Sequence, residues 1–200
     1  GRVVDPFMRP LEGKKLQKGP TAFPLLRQAP SAAHRGRLGG RIQTGLAALD
    51  SFLPIVEGQR VGLFAGSGVG KSTLLADLAR GMQADVAVIA LIGERGRELR
   101  EFLEDVLGPE GLQSSVVVAA TSDQSPMARR RAGWAAMAVA EYFSAQGKHV
   151  LFLADSLTRF AEAHREIAAA SGEAASLKGY PPSTAQAIMG LCERAGPGAI

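Results

Sequence analysis

The stretch Val61-Gly62-Leu63-Phe64-Ala65-Gly66-Ser67-Gly68-Val69-Gly70-Lys71-Ser72 runs straight into the helix-forming Thr73-Leu74-Leu75-Ala76-Asp77-Leu78. An apolar run, a glycine-rich turn closed by Lys-Ser and a helix is the order that a nucleotide phosphate loop requires. Gly66, Gly68 and Gly70 let the backbone turn its N–H groups inward around phosphate oxygens. Lys71 would supply a point charge near the β and γ groups, and the Ser72 hydroxyl could ligate Mg²⁺. The helix that follows adds the positive end of its dipole to the anion site. The bland reading is a glycine turn with a solvated lysine; the apolar run before it and the helix after it favour the phosphate loop.

From this loop onward, four short apolar runs alternate with amphipathic segments: Val61–Ala65, Val86–Ile92, Val116–Ala120 and Val150–Ala154. Runs of Val, Ile and Leu without polar alternation predict strands buried on both faces, hence an α/β fold with a mostly parallel sheet flanked by helices. Among the intervening segments, Leu99, Phe102, Leu103, Val106 and Leu107 share one helical face, opposite Glu98, Arg100, Glu101, Glu104 and Asp105. Longer helices are predicted over Met127–Gln146 and Leu157–Ala170.

Upstream, residues 1–40 carry Pro6, Pro10, Pro20, Pro24 and Pro30, spaced so that no long helix fits, and read as an extended, basic, Pro/Gly-rich leading segment. A short strand at Arg41–Thr44 and a short helix over Gly45–Leu53 open the core, which is taken as residues 41–200.

The 200 residues, 46% hydrophobic and 21% charged, suffice for one globular domain with a real core. The longest apolar stretches fall far short of the roughly 20 residues that a membrane-spanning helix needs. The first residues also lack the basic head and apolar core of a secretory signal. The single Cys192 excludes an internal disulfide framework, fits a reducing cytosol and reads as an ordinary helix residue. His34, His149 and His164 are scattered, without metal-ligand spacing.

Net charge is +4 but unevenly placed: residues 1–60 hold ten Lys/Arg against four Asp/Glu, and residues 61–200 hold thirteen against fifteen. The basic excess lies outside the nucleotide core, has no base-stacking aromatic motif, and reads as a solvated or partner-facing segment; no nucleic-acid partner is expected. The run Arg129-Arg130-Arg131 is likewise read as a solvated helix face.

In open α/β sheets the ligand lies beyond the carboxyl ends of the strands. Those ends here are the phosphate loop, Gly93-Glu94-Arg95-Gly96, Thr121-Ser122-Asp123-Gln124 and Asp155-Ser156-Leu157-Thr158-Arg159. Asp155 has the form of a strand-terminal carboxylate facing the metal held by Ser72; alternatively Asp155 or Ser156 caps the next helix. Glu94 could orient and polarise an attacking water, or simply favour the N-terminus of the following helix. Arg95 and Arg159 could clamp phosphate oxygens or anchor the carboxylates, although isolated arginines are more often surface residues.

Taken in order, GQRVGLFAGSGVGKSTLL, LIGERGRELREF, ATSDQSPMARRRA, LFLADSLTRFAEAHREIA and GYPPS resemble the flagellar and type III secretion protein-export ATPases, relatives of the rotary ATP synthase catalytic subunits. The resemblance implies a RecA-like P-loop NTPase fold with ATP and Mg²⁺ as ligands. It implies that Ala65–Thr73 bind nucleotide, with Thr73 near the α-phosphate, and that Lys71 and Ser72 bind phosphate and Mg²⁺. Glu94 would activate water, Arg95 would support the phosphate region, and Asp155 and Arg159 would complete the metal and phosphate side. Tyr180, in the GYPPS segment, matches a part near the family's subunit interface.

The same resemblance implies a cytoplasmic homohexamer, peripheral to the inner membrane, that meets an export apparatus, a regulator and chaperone-substrate complexes. It also implies an N-terminal barrel and a C-terminal part, bearing a trans-acting arginine and the adenine pocket, beyond the ends of this sequence. Consistently, the sequence lacks an initiator Met and is expected to be a fragment that hydrolyses ATP poorly alone. Two competing readings are a docking module that binds nucleotide without turnover and a hexameric RNA translocase of the transcription-terminator type.

Overall fold

The computed structural model describes residues 1–13, 15–17, 19–66 and 68–197. The main sheet contains β1 (Arg2–Val4), β4 (Val86–Glu94), β5 (Ser115–Thr121) and β6 (Val150–Asp155), all parallel, in the order β1-β5-β4-β6. A separate antiparallel pair, β2 (Arg41–Ile42) with β3 (Ile55–Val56), brackets α1 (Ala47–Phe52). The helices of the core are α2 (Lys71–Gly81), α3 (Gly96–Glu101), α4 (Gly108–Gln113), α5 (Pro126–Ser144), α6 (Leu157–Ala170) and α7 (Pro182–Arg194).

The uninterrupted apolar strands are explained by two cores, one on each face of the sheet. Because side chains alternate along a strand, Val88, Ala90 and Ile92 of β4 pack with Val118 and Ala120 of β5 against α5, α6 and α7. Ala87, Ile89 and Leu91 point the other way, with Val117, Ala119 and Leu153, onto α2 and the 102–107 turn. The α5 face is built of Ala132, Ala135, Ala136 and Ala140, small enough to seat that helix close to the strands. At Gly133 a β-carbon would come within 3.0 Å of the Phe160 ring, so glycine there admits the fully buried Phe160 between α5 and α6.

Helix ends follow local chemistry. Ser125 accepts a hydrogen bond from the Ala128 N–H, with Pro126 at the first helical position of α5. α6 spans the residues its periodicity predicts. The amphipathic segment after β4 is not one helix: α3 passes into a wider π-helical turn over Phe102–Leu107, and Gly108, at φ +67°, leads on to α4. Its apolar face nonetheless packs as the pattern requires, with Phe102 and Leu107 buried.

Three expectations need correction. Val61–Ala65 belongs to no strand of either sheet, and Phe64 is 98% exposed. The run has a strand's composition, but an open groove of about 1970 Å³ separates it from the outer edge of β6, so no strand lies beside it to complete a ladder. Second, the leading segment is not merely solvated. Arg2–Val4 closes the far edge of the sheet against β5, burying Val4 and Pro6, because Val3 and Val4 fit the register opposite Val117 and Val118.

Third, the arginine run is not a free face. Arg129 forms a bidentate pair with Glu166 on α6, Arg130 packs on the Trp134 ring, and Arg131 donates to the Pro6 carbonyl beneath the Phe7 ring. Each finds a partner because α5 is flanked by α6 on one side and by the N-terminal turn on the other.

Candidate nucleotide site

The glycine turn delivers Lys71 to the mouth of the groove. Gly68 and Gly70 take φ of +77° and +87°, a left-handed backbone that side-chain-bearing residues avoid. Gly70 thereby becomes the N-cap of α2, whose first residue is Lys71. A β-carbon at Gly66, Gly68 or Gly70 would meet nothing within 4 Å, so the concave side of the turn is open. Ser67 lies outside the described residues. Ala65, Gly66, Gly68, Val69, Gly70, Ser72 and Thr73 are exposed around that space. Free N–H groups at the start of α2 and the helix dipole make it an anion-binding environment.

Across the groove, β6 ends on Asp155, which is 3% exposed and forms an ion pair and hydrogen bond with the Lys71 ammonium. Ser156, not Asp155, caps α6, accepting from the Arg159 N–H at 3.3 Å. That division of labour leaves the Asp155 carboxylate to the groove. Its direction follows from strand alternation: Leu151 and Leu153 pack on the α2 side, and Asp155 continues the same set.

Glu94 reaches the same side only by an exception to alternation. Val88, Ala90 and Ile92 face α5, and an unbroken strand would send Glu94 there too. Instead the register with β5 slips between Ile92 and Glu94: Ile92 pairs with Ala120 and Glu94 with Thr121, leaving Gly93 unpaired at φ +73°. This one-residue bulge turns the glutamate onto the wall that it shares with Lys71 and Asp155. Gly93 is also a close-packing point, since a β-carbon there would lie 3.2 Å from the Arg159 β-carbon.

Burial pushes the Glu94 carboxyl up to about 7, aided by a hydrogen bond with Glu98 and by the negative charges of Asp155 and Glu98, while Lys71 pulls in the opposite direction. Glu98, exposed and hydrogen-bonded to Glu94, is held below the ordinary carboxylate range, so the proton of the pair resides on Glu94. Glu98 also takes the Arg95 guanidinium at 3.1 Å. It is a functional neighbour that the sequence reading passed over as one polar residue of an amphipathic helix; its spacing four residues after Glu94 was the available signal.

The two arginines stand differently from the carboxylates. Arg95 is 76% exposed and paired with Glu98. Arg159 lays its stem over Gly93 and gives its guanidinium to Glu162 at 3.1 Å. Both line the groove, and neither contacts Asp155 or Lys71. Tyr180 lies elsewhere, under the Arg165 guanidinium beside a separate small apolar pocket.

The donor set suits Mg²⁺. Near Lys71 the ligand candidates are oxygens, the Ser72 hydroxyl and the Asp155 carboxylate, which hard cations prefer. No cluster of three or more His, Cys, Asp or Glu able to hold a metal occurs among the described residues. A cation that takes one or two protein ligands and completes its shell with water and phosphate fits this arrangement.

A glycine turn feeding a helix, with a lysine at its first position and acidic residues at the ends of two adjacent parallel strands, defines a P-loop nucleotide-binding α/β domain. The chain belongs to the ATP synthase alpha/beta family, whose nucleotide-binding domain matches residues 45–199. It is 51% identical to the flagellum-specific ATP synthase of Treponema pallidum over 98% of this chain and 44% of that protein. It is 52% identical to the type 3 secretion system ATPase of Pseudomonas syringae pv. syringae, over 98% of this chain and 45% of that protein. The chain therefore spans under half the length of these relatives.

The solved structure of the assembled ATPase EscN in complex with its central stalk EscO, from the enteropathogenic E. coli type III secretion system, superposes with a TM-score of 0.91 at 43% identity. That match covers 98% of this chain and 48% of EscN.

Proposed function

We propose that this chain is the catalytic nucleotide-binding core of an ATPase that energises protein export through a flagellar or type III secretion apparatus. The observation that carries the reading is the convergence of Lys71, Asp155 and Glu94, from three separate elements, on one wall of a single groove. Residues 41–200 form the ATPase core, and residues 1–40 lead into it.

ATP lies with its phosphates in the Ala65–Thr73 turn, where backbone N–H groups and Lys71 offset the charge of the β and γ groups. Ser72 and Asp155 hold Mg²⁺, which supplies charge neutralisation on the phosphoryl oxygens. Lys71 and Asp155, paired with each other, exchange that mutual contact for phosphate and cation. Glu94 in its ionised form accepts a hydrogen bond from water and aligns it for in-line attack. Arg95 and Arg159 sit at the rim and support the phosphate side through Glu98 and the Gly93 bulge.

The matched relatives are export ATPases, and EscN is described as assembled with a central stalk. By that likeness, the full-length protein works as a hexameric ring, placed at the cytoplasmic face of the inner membrane against its export apparatus, a regulator and chaperone-bound cargo. No helix among the described residues is long and apolar enough to cross a membrane.

Phosphate release by the full-length protein tests the reading. Lys71→Ala should abolish nucleotide binding, whereas Glu94→Gln should retain ATP and lose hydrolysis by about 10²–10⁴-fold. Undiminished turnover in the glutamine variant would remove Glu94 from the mechanism.

A further inference from the structure

On the side of α6 away from the groove, one histidine joins four segments of the chain. Nδ1 of His164 lies 3.1 Å from Nη1 of Arg130 on α5, and Nε2 lies 2.9 Å from Oγ of Ser183 at the start of α7. A guanidinium only donates, so Nδ1 must be an unprotonated acceptor and the ring proton must sit on Nε2. Nε2–H then donates to Ser183, whose hydroxyl donates at 2.5 Å to Glu173 in the connection between α6 and α7. The Ser183 N–H donates to the other Glu173 oxygen at 3.0 Å. The result is a directional chain, Arg130 to His164 to Ser183 to Glu173, that works in one tautomer of a neutral imidazole.

We propose that His164 is a pH-sensitive latch: neutral, it fastens the Ser171–Pro181 connection to α5 and α6, and its protonation releases that connection. A proton on Nδ1 would set two N–H groups of like charge against each other across 3.1 Å. Arg130 is poorly placed to absorb this. It has no carboxylate partner among the described residues, its buried Nε has no hydrogen-bond acceptor, and its remaining support is the Trp134 ring, 4.8 Å from Cζ.

The other charged groups around the ring do not reverse the sign. On α5, Arg129 is consumed by Glu166 of α6; on α6, Arg165 stacks on Tyr180; on the connection, Glu173 reaches His164 only through Ser183. α7 contributes the Ser183 hydroxyl. Burial and Arg130 hold the imidazole below its ordinary value, with Glu173 opposing them. The group is thus neutral at pH 7, and the fastening weakens as pH falls from about 6.5, the unfolded value, through the lower folded one.

The latch goes beyond the proposed ATPase activity and does not depend on it. Nitrogen-15 NMR of the imidazole reads the tautomer and the titration, and hydrogen exchange corrected for intrinsic rates reads the Ser171–Pro181 amides across the same pH range. At pH 7.5 the expected pattern is an unprotonated Nδ1 and a protonated Nε2. As His164 titrates, protection of the connection should fall about tenfold or more, while Ala132–Ala140 of α5 stay protected. Arg130→Met should move the titration and the opening together to higher pH, and His164→Gln should make the protection independent of pH. A proton on Nδ1 at neutral pH, protection unchanged through the titration, or simultaneous loss of protection across the sheet would each overturn the proposal.

Discussion

The two banks of the groove are built on different principles. On one, β4 and β6 with α5 and α6 form a wall in which Val88, Ala90, Ile92 and Phe160 are wholly buried, and Asp155 stands at its rim as the continuation of packed strands. On the other, residues 61–70 carry the phosphate-binding turn with Val61, Phe64 and Val69 exposed. The first bank fixes side-chain positions through close packing; the second offers backbone N–H groups through glycine dihedrals and needs no core of its own. Precision in this site therefore comes from the strand-end carboxylates, and adaptability from the loop that meets the phosphates.

That contrast can be tested by substitution. Phe160→Ala, in the packed bank, should cost about 3–5 kcal/mol, read as a lowered midpoint in denaturant unfolding. A cost near zero would mean that the wall is not the rigid member. Glu94→Gln, at the rim, should be stabilising. A carboxyl whose folded value is raised to about 7 binds its proton more tightly folded than unfolded, so stability falls as pH climbs from the ordinary carboxylate range through 7. Removing the charge should thus gain roughly 1–2 kcal/mol at pH 8, discounted for partial exposure, and little at pH 4, as measured by thermal unfolding at both values. Phe64→Ala, in the open bank, should change stability by no more than about 0.5 kcal/mol; a loss comparable to that of Phe160 would show the loop to be part of the core.

Much of this was legible in the linear chain. The apolar runs at 86–92, 116–120 and 150–154 become β4, β6 and β5's central residues, each with one or two polar residues added at the ends, because continuous Val, Ile and Leu can be buried only between two layers. The periodicity of 157–170 gives α6, and the motif residues Lys71, Glu94 and Asp155 meet on one groove. What escaped reading was what depends on neighbours. Val61–Ala65 has a strand's composition but no adjacent strand, and Arg2–Val4 has a partner that nothing local announces. The arginines at 129–131 looked solvated because their acceptors, Glu166 and the Pro6 carbonyl, are distant in sequence. The placement of Glu94 was right in outcome, although its cause, a bulge at Gly93, is invisible to residue-by-residue pattern.

That bulge has a consequence for how the chain tolerates change. Since parity along β4 assigns every side chain to a layer, one residue added or removed between Val86 and Gly93 would exchange the occupants of both layers and carry the glutamate to the opposite side of the sheet. A length change in the loop before β4 leaves that parity intact. Insertions are therefore tolerable in the connections and ruinous within the strand, even where every substituted residue is itself apolar.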